Sequence, residues 1–238
     1  MTPLGRRVRA KLIPRQATIV SRTDLAGALV DTWCIGQTPF QPGDVLAVRV
    51  AGLGPGPTGV WRRYTISEAN GHRFRLIIQR NPGGAAGPFI DTVTTGDTVT
   101  IRGPARAVLP PVGDGPLLVV SDLTGLATIA ALTHQARRDG RAEQIGVAVF
   151  SANKNIDLSI VASCLGDSGG APVIHRHLDD IASWVRKHSG FAHDSPRLLA
   201  IGEHGLTALA ERTALAVGFS PKHVKTRTYW NPGRRGLE

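Results

Sequence analysis

The run Pro110-Pro111-Val112-Gly113-Asp114-Gly115-Pro116 separates two stretches of this chain that have different sequence patterns. Prolines and glycines at this density prevent a helix or a strand from continuing through the run. Before it, short apolar segments alternate with turns. After it, apolar segments alternate with segments of helical length. Because 238 residues suffice for two domains, we expect one domain over residues 1–113 and a second over residues 114–238.

The first stretch has the pattern of an antiparallel β domain. Segments rich in β-branched and aromatic residues are separated by turn sequences such as Gln41-Pro42-Gly43-Asp44 and Asn70-Gly71. The predicted strands are 17–22, 29–35, 45–50, 61–68, 73–79 and 98–102. Six strands with frequent turns predict an antiparallel six-stranded barrel.

The second stretch has the pattern of an α/β domain. The predicted strands are 117–121, 145–151 and 198–201, and the predicted helices are 125–138, 178–188 and 203–216. Apolar strands that alternate with helices predict a parallel sheet covered on both faces. Ligands of such sheets bind at the carboxyl ends of the strands, where residues 121–125 and 202–205 fall.

The strand predicted at 61–68 carries the most informative polar pattern. Arg62 and Tyr64 are two residues apart, so an alternating strand projects both to one face, while Thr65 points to the other. A guanidinium binds phosphate, a phenol ring stacks on a flat heterocycle, and the backbone at Thr65 can bond a ring edge. These are the contacts that a flavin requires.

The net charge is +10, from 28 Lys and Arg against 18 Asp and Glu. The basic residues are spread along the chain, so no specific nucleic-acid site is predicted, and small polyanions such as dinucleotides or anionic metal chelates are equally suitable partners. Cys34 and Cys164 lie far apart and have no metal ligand at close spacing, so we expect reduced, packed thiols and no metal site.

We expect a soluble, cytoplasmic protein. No stretch approaches the roughly 20 apolar residues of a membrane span, and residues 1–16 are basic without the apolar run of a secretion signal. The sequence makes no prediction of the oligomeric state.

Short motifs along the chain are similar, in order, to those of one family. Residues 62–65 match an R-x-Y-T flavin signature, and Gly87-Pro88 with 96–97 and 103–104 resemble a flavin-phosphate loop and the strand that follows it. Residues 120–128 are similar to a G-D-E-T-A-L-P turn.

The later motifs are Ile174-His175-Arg176, similar to L-H-R, and residues 200–203, similar to V-A-G-E. Tyr229-Trp230 followed by 234–236 is similar to Y-W-R-R-G. The chain therefore resembles, over nearly its whole length, the siderophore-interacting proteins, which are flavin-dependent ferric-siderophore reductases of the ferredoxin reductase-like superfamily.

The resemblance implies hydride transfer from NADH or NADPH to FAD, followed by reduction of a ferric siderophore. Tyr64 and Thr65 are the implied catalytic residues, stacking on the isoalloxazine and bonding near its reactive nitrogen. Arg234 and Arg235 are the implied contacts of an anionic chelate. The residues implied to bind cofactors are Arg62, Tyr64, Thr65, Ile66, Ser67, Gly87, Pro88, Asp122, Thr124, Gly125, His175, Arg176, Gly202, Glu203, Tyr229 and Trp230.

Structural interpretations of these residues stay open. The pair 87–88 is also a common turn, and the polar residues at the helix starts can cap those helices. The pair 175–176 also suits a solvated surface, and the pair 229–230 can seal the edge of a sheet.

Three positions depart from the family pattern. Ser67 stands where the family has arginine, and Gln79-Arg80 stands where a strand usually ends in histidine. We expect weaker flavin binding, or a phosphate contact that moves to Arg63 or Arg80. In the tail, residues 231–233 separate Trp230 from the two arginines.

The sequence also leaves other functions open. Residues 166–170 read G-D-S-G-G, similar to the nucleophile loop of chymotrypsin-like serine proteases, but His72 and His134 are the only histidines before Ser168, and His134 falls within a predicted helix. The closer alternatives are a flavin reductase for ferredoxin or free flavin, a reductase with ferredoxin as electron donor, and a non-catalytic chelate-binding module.

Overall fold

The computed structural model describes residues 13–51, 59–80, 84, 86–106, 115–166, 172–188 and 196–233. The chain divides into two compact units, Met1–Leu109 and Pro110–Glu238. Each unit has its own sheet and its own hydrophobic core.

The first unit is built on an antiparallel sheet. Its strands are β1 (Arg15–Leu25), β2 (Leu29–Gly36), β3 (Asp44–Ala51), β4 (Val60–Thr65), β5 (Glu68–Asn70), β6 (Arg73–Gln79) and β7 (Thr98–Arg106). Helix α1 (Gly87–Thr92), which the sequence pattern does not predict, precedes β7. The strand order is β4-β3-β7-β1-β2-β6-β5, and all pairs are antiparallel.

The strand predicted at 61–68 is broken at Ile66 and Ser67, which corrects the prediction of one continuous strand. The Ile66 amide donates to the Asp44 carbonyl beside β3 (2.8 Å), and the Ser67 amide donates to the Arg75 carbonyl on β6 (3.0 Å). Because β3 and β6 lie near opposite ends of the sheet order, these bonds close it. Counting β4 and β5 as one bent strand gives the predicted six-stranded barrel.

The barrel core follows from the period of two in its strands. In β3, Leu46, Val48 and Val50 are buried while the residues between them are half-buried. Helix α1 adds Phe89 and Ile90 to the same core.

In its described residues, the second unit is a five-stranded parallel sheet with four α-helices. Its elements are β8 (Leu117–Asp122), α2 (Leu126–Arg138), β9 (Ile145–Phe150), α3 (Leu158–Leu165), β10 (Val173–His175), α4 (Leu178–His188), β11 (Arg197–Glu203), α5 (His204–Ala216) and β12 (Val224–Trp230). The strand order is β10-β9-β8-β11-β12, and all pairs are parallel. This confirms the predicted α/β class.

Helices cover both faces of this sheet because its central strands are apolar on both. All six residues of β8 are buried. Leu118 and Val120 pack with α4 and α5 on one face, and successive residues of a strand point to opposite faces, so the remaining apolar residues of β8 face α2. The pattern does not predict α3, β10 or β12.

The longest described helices, α2 and α5, have 13 residues each, and no described helix is both long and apolar enough to cross a membrane.

Candidate functional site

Strand β4 places Arg62 and Tyr64 on one face of the barrel sheet. Tyr64 lies opposite Leu46 and Arg62 lies opposite Val48. Leu46 and Val48 are core residues, and directly paired residues project to the same side. The predicted common face of Arg62 and Tyr64 is therefore the inner one.

The phenol of Tyr64 is half-buried against the barrel core. Burial raises its pKa to about 12, and the nearby Arg62 charge opposes that shift. The ring is therefore neutral across the physiological range and presents an apolar surface edged by a polar hydroxyl.

Arg62 is a half-buried cation with no carboxylate beside it in the described part of the chain. Its Nη1 donates a hydrogen bond to the Trp61 carbonyl at 2.9 Å. By contrast, Arg75 pairs with Asp31 at 2.7 Å. A partly desolvated guanidinium without a counter-charge is a favourable place for an anion such as phosphate.

The residues after Tyr64 contribute less than the sequence predicts. Thr65 is half-buried at the end of β4. The Ile66 side chain is fully buried in the core, and the Ser67 hydroxyl donates to the Arg75 carbonyl at 3.1 Å. The backbone amides of both residues already donate to the Asp44 and Arg75 carbonyls, so the cofactor contact predicted at Ile66 and Ser67 has no amide donor in this structure and stays a prediction.

Neither cation proposed to replace the missing family arginine suits that role. Arg80 is paired with Asp24 and with Asp91. Arg63 is exposed and alternates with Arg62, so it projects from the outer face of β4. Arg62 is therefore the phosphate-binding candidate on this strand.

Gly87 and Pro88 form the first residues of α1. Gly87 is buried and its amide donates to the Gly84 carbonyl at 3.0 Å, while Pro88 has no amide hydrogen. The predicted phosphate contact at this pair therefore has fewer donors than the motif suggests.

In the second unit, Asp122 collects four hydrogen bonds at the carboxyl edge of the sheet. Its Oδ1 accepts from the Thr124 amide (2.8 Å) and from the Thr124 hydroxyl, and its Oδ2 accepts from the Glu203 amide (2.9 Å) and the Trp230 indole (2.8 Å). Burial raises the pKa of Asp122, and these hydrogen bonds oppose that rise. The carboxylate joins the ends of β8, β11 and β12.

Two predicted glycines allow this close packing. Gly202 has a φ of +121°, and an added Cβ would overlap the Asp122 carboxylate. A Cβ at Gly125 would overlap the Ser121 hydroxyl. At both positions the backbone therefore packs directly against a side chain at the carboxyl edge of the sheet, where the motifs predict a nucleotide.

Glu203, Tyr229 and Trp230 also make internal bonds. Glu203 caps α5, accepting from the amides of Gly205 (2.7 Å) and Leu206 (2.9 Å), which is the capping role that the sequence pattern also allows. The Tyr229 hydroxyl lies 2.8 Å from that of Thr128 on α2. The aromatic pair thus holds β12 to its neighbours. Sequence patterns did not single out Thr128, because only the fold brings it to Tyr229.

Arg176 organises the loop after β9. Its guanidinium donates to the carbonyls of Ser151 (2.9 Å), Asn153 (2.6 Å) and Ile156 (2.6 Å). The neighbouring His175 has a buried Nε2 with no hydrogen-bond partner among the described residues, and burial lowers its pKa. The signal for this loop was available in the sequence, since a polar run directly follows an apolar strand at the carboxyl edge.

Arg176 also borders an open surface cavity of about 560 Å³, which is lined by Asp157, Leu158, Ser159, Val173, Ile174 and Arg176. Asp157 caps α3 through the Ile160 amide at 3.0 Å. The cavity lies at the edge strand β10.

Three predicted features lie outside the described residues, namely Arg234, Arg235 and the Ser168 loop. His134 lies in α2, a helix of the parallel α/β unit. A chymotrypsin-like triad requires a histidine from a β-barrel. Within the described ranges, no three metal-ligating side chains come together.

Comparison with known proteins supports the cofactor assignment of the first unit. Residues 36–108, which include β4, match the oxidoreductase FAD-binding domain family. No protein with a curated description matches this chain.

Solved structures share the fold at low sequence identity. The siderophore-interacting protein of Acinetobacter baumannii has a TM-score of 0.70 and 17% identity, over 92% of this chain and 91% of that chain. SipS of Aeromonas hydrophila gives 0.69 and 20%, over 93% and 92%. The Amycolatopsis cytochrome P450 reductase GcoB gives 0.69 and 19%, over 93% and 71%.

Residues 36–108 of this chain thus match the oxidoreductase FAD-binding domain family, and the chain shares the fold of the siderophore-interacting proteins, in agreement with the resemblance seen in its sequence.

Proposed function

We propose that this flavoprotein oxidoreductase binds FAD in its first unit, accepts a hydride from NADH or NADPH bound in its second, and reduces a ferric siderophore to release Fe(II). The observation that carries the proposal is the inner face of β4, where Arg62 and Tyr64 lie together within the region that matches the FAD-binding family.

The residues on this face suit the two chemically different ends of FAD. Arg62, with its charge uncompensated among the described residues, would bind a phosphate oxygen. Tyr64, with its neutral half-buried ring, would stack on the isoalloxazine, and the backbone at Thr65, whose side chain projects to the other face, would bond near the reactive nitrogen of that ring. FAD supplies the redox chemistry, because it accepts a hydride and releases electrons one at a time.

For the second unit we propose that the carboxyl edge of the sheet binds the nicotinamide nucleotide. The carboxylate oxygens of Asp122 and Glu203 already accept hydrogen bonds from within the protein. These two residues would therefore position the backbone of the turns and would not contact the ligand. The cavity beside Arg176 has the size of a small-molecule site and would take the adenosine end. Because its guanidinium already donates to backbone carbonyls, Arg176 would act on the nucleotide through its positive charge and not through direct hydrogen bonds.

The proposed substrate follows from iron chemistry and charge. Hard oxygen ligands hold Fe(III) much more strongly than Fe(II), so reduction releases the metal. The net charge of +10 favours approach of an anionic chelate. Two structures of the same fold are siderophore-interacting proteins.

The test combines purified protein, FAD, NADH or NADPH, a ferric siderophore and the Fe(II) trap ferrozine. We expect nucleotide-dependent trap colour only when FAD is bound. Protein that retains FAD and oxidises the nucleotide with another acceptor, but yields no trap colour, would exclude the siderophore as substrate and leave the reductase assignment standing.

A matched pair of variants tests the FAD site. Arg62→Ala removes the inner-face cation, whereas Arg63→Ala removes its outer-face neighbour on the same strand. Loss of a charge-assisted hydrogen bond costs about 1.5–3 kcal/mol, which corresponds to about 10- to 150-fold weaker FAD binding. Equal FAD retention in both variants would place the phosphate elsewhere.

A second candidate is a reductase for a protein acceptor, because GcoB, a cytochrome P450 reductase, has the same fold. Nucleotide oxidation that depends on added ferredoxin or cytochrome, and not on a ferric chelate, would favour it. A protein that binds ferric chelate without retaining FAD would instead indicate a chelate-binding module.

A further inference from the structure

The described part of the barrel has two arginine–tryptophan stacks on its outer surface, and they differ in their surroundings. The Arg102 guanidinium carbon lies 3.9 Å from the ring centre of Trp61, and that of Arg73 lies 4.6 Å from the ring centre of Trp33. Both distances are within the range of cation–π attraction. The two stacks differ in the charged side chains that surround them.

The first stack belongs to a compact group of side chains, Arg49, Trp61, Arg63 and Arg102, which we name the arginine face. Ala47 on β3 pairs with Arg63 on β4 and with Arg102 on β7, and Arg49 pairs with Trp61. The small Ala47 side chain leaves room for Arg102 to extend across β3 to the indole. Adjacent strands are about 4.8 Å apart, so the outer two strands of the face are about 10 Å apart.

The arginine face points away from the barrel core. Its residues on β3 alternate with the buried Leu46 and Val48, which places Ala47 and Arg49 on the outer side. Arg63 is exposed, and Trp61 and Arg102 are half-buried. In the described part of the chain, Trp61 Nε1 and Arg102 Nε have no hydrogen-bond partner.

The strands that carry the two stacks differ in the acidic side chains that they present on the outer side. Strands β2, β5 and β6 carry two arginines and two carboxylates, and Arg75 pairs with both Asp31 and Glu68. Strands β3, β4 and β7 place Arg49, Arg63 and Arg102 on the outer side, where Arg49 also donates to the Thr100 hydroxyl at 3.1 Å. The acidic residue of these strands, Asp44, is buried at the start of β3. The arginine face therefore presents excess positive charge around a tryptophan.

We infer that the arginine face is a docking surface for a partner protein that presents clustered carboxylates. Tryptophan and arginine are the residue types that dominate protein–protein binding energy, and guanidinium groups pair bidentately with carboxylates. A nucleic acid suits the face less well, because Arg102 covers one side of the Trp61 ring that a base would stack on. This inference goes beyond the proposed reductase function and does not depend on bound FAD.

The experiment measures binding of fluorescently labelled poly-L-glutamate to the full chain by anisotropy, at several salt concentrations. Arg63→Ala and Arg102→Ala should each weaken binding about fivefold or more. Arg73→Ala is the matched control, since it removes a stacked arginine from the side that carries Asp31 and Glu68, and it should change affinity by less than about twofold. The measurements are made with and without added FAD.

Equal weakening by all three variants would mean attraction by net charge alone and would overturn the inference. Tighter binding of a single-stranded oligonucleotide, lost in the same two variants, would also overturn it in favour of a nucleic-acid surface. If Arg102→Ala disturbs folding, as circular dichroism would show, the exposed Arg63 decides the outcome.

Discussion

Replacing Gly202 by alanine tests the close packing at the carboxyl edge of the parallel sheet. Gly202 has a φ of +121°, and an added Cβ would overlap the carboxylate of Asp122. The backbone conformation costs a non-glycine residue about 1–3 kcal/mol. Overpacking costs about another 1–3 kcal/mol. We therefore expect Gly202→Ala to lower the free energy of unfolding by about 2–6 kcal/mol.

Gly218→Ala is the control within the same unit. Gly218 has a φ of +94°, and no atom lies within 4 Å of its added Cβ. It therefore carries the backbone cost without the overlap, about 1–3 kcal/mol. The difference between the two variants isolates the contact with Asp122.

The assay is urea unfolding followed by circular dichroism. With a slope of about 2 kcal/mol per molar urea, the overlap should place the Gly202→Ala midpoint about 0.5–1.5 M below that of Gly218→Ala. Equal midpoints would refute the reasoning, since they would mean that Asp122 moves aside at no cost and does not hold the three strand ends together.

Three further predictions concern side chains whose contacts are internal. Arg176→Lys should destabilise the chain by about 2 kcal/mol and expose the loop after β9 to proteolysis, because one ammonium cannot reach three carbonyls; an unchanged cleavage rate would contradict this. Trp230→Phe removes one donor to Asp122 and should cost about 1 kcal/mol in urea unfolding; no loss would mean that the indole bond is not formed. Burial raises the pKa of Cys34 from 9.0 to about 12, so the folded chain holds more protons and stability should fall as pH rises from 9.0 towards 12. Cys34→Ala should flatten that fall, and an unchanged slope would assign it to other groups.

Elements with a strong periodic pattern were predictable from the sequence alone. Helix α4 was predicted at its observed bounds, because its apolar residues recur at helical spacing and its last turn is basic. Strand β6 was likewise predicted at its observed bounds. In both elements one face packs on a core, so the spacing of apolar residues along the sequence reflects which side chains are buried.

Elements without such a pattern were missed for identifiable reasons. Strand β12 lies at the sheet edge and is largely polar, so it lacks the apolar run of the central strands. The break between β4 and β5 depends on hydrogen bonds from Ile66 and Ser67 to β3 and β6, which are remote in sequence. Neither feature has a local signal.

The sequence by itself determined the two-part architecture and the common face of Arg62 and Tyr64, because alternation along a strand is a property of neighbouring residues. The tertiary structure decided which polar groups remain available to a ligand. Arg80 and Arg176 are equally basic in the sequence, but the fold pairs one with carboxylates and the other with carbonyls. Arg62 keeps its charge uncompensated among the described residues because no acidic side chain is brought beside it. Availability depends on contacts between distant residues, which only the folded chain specifies.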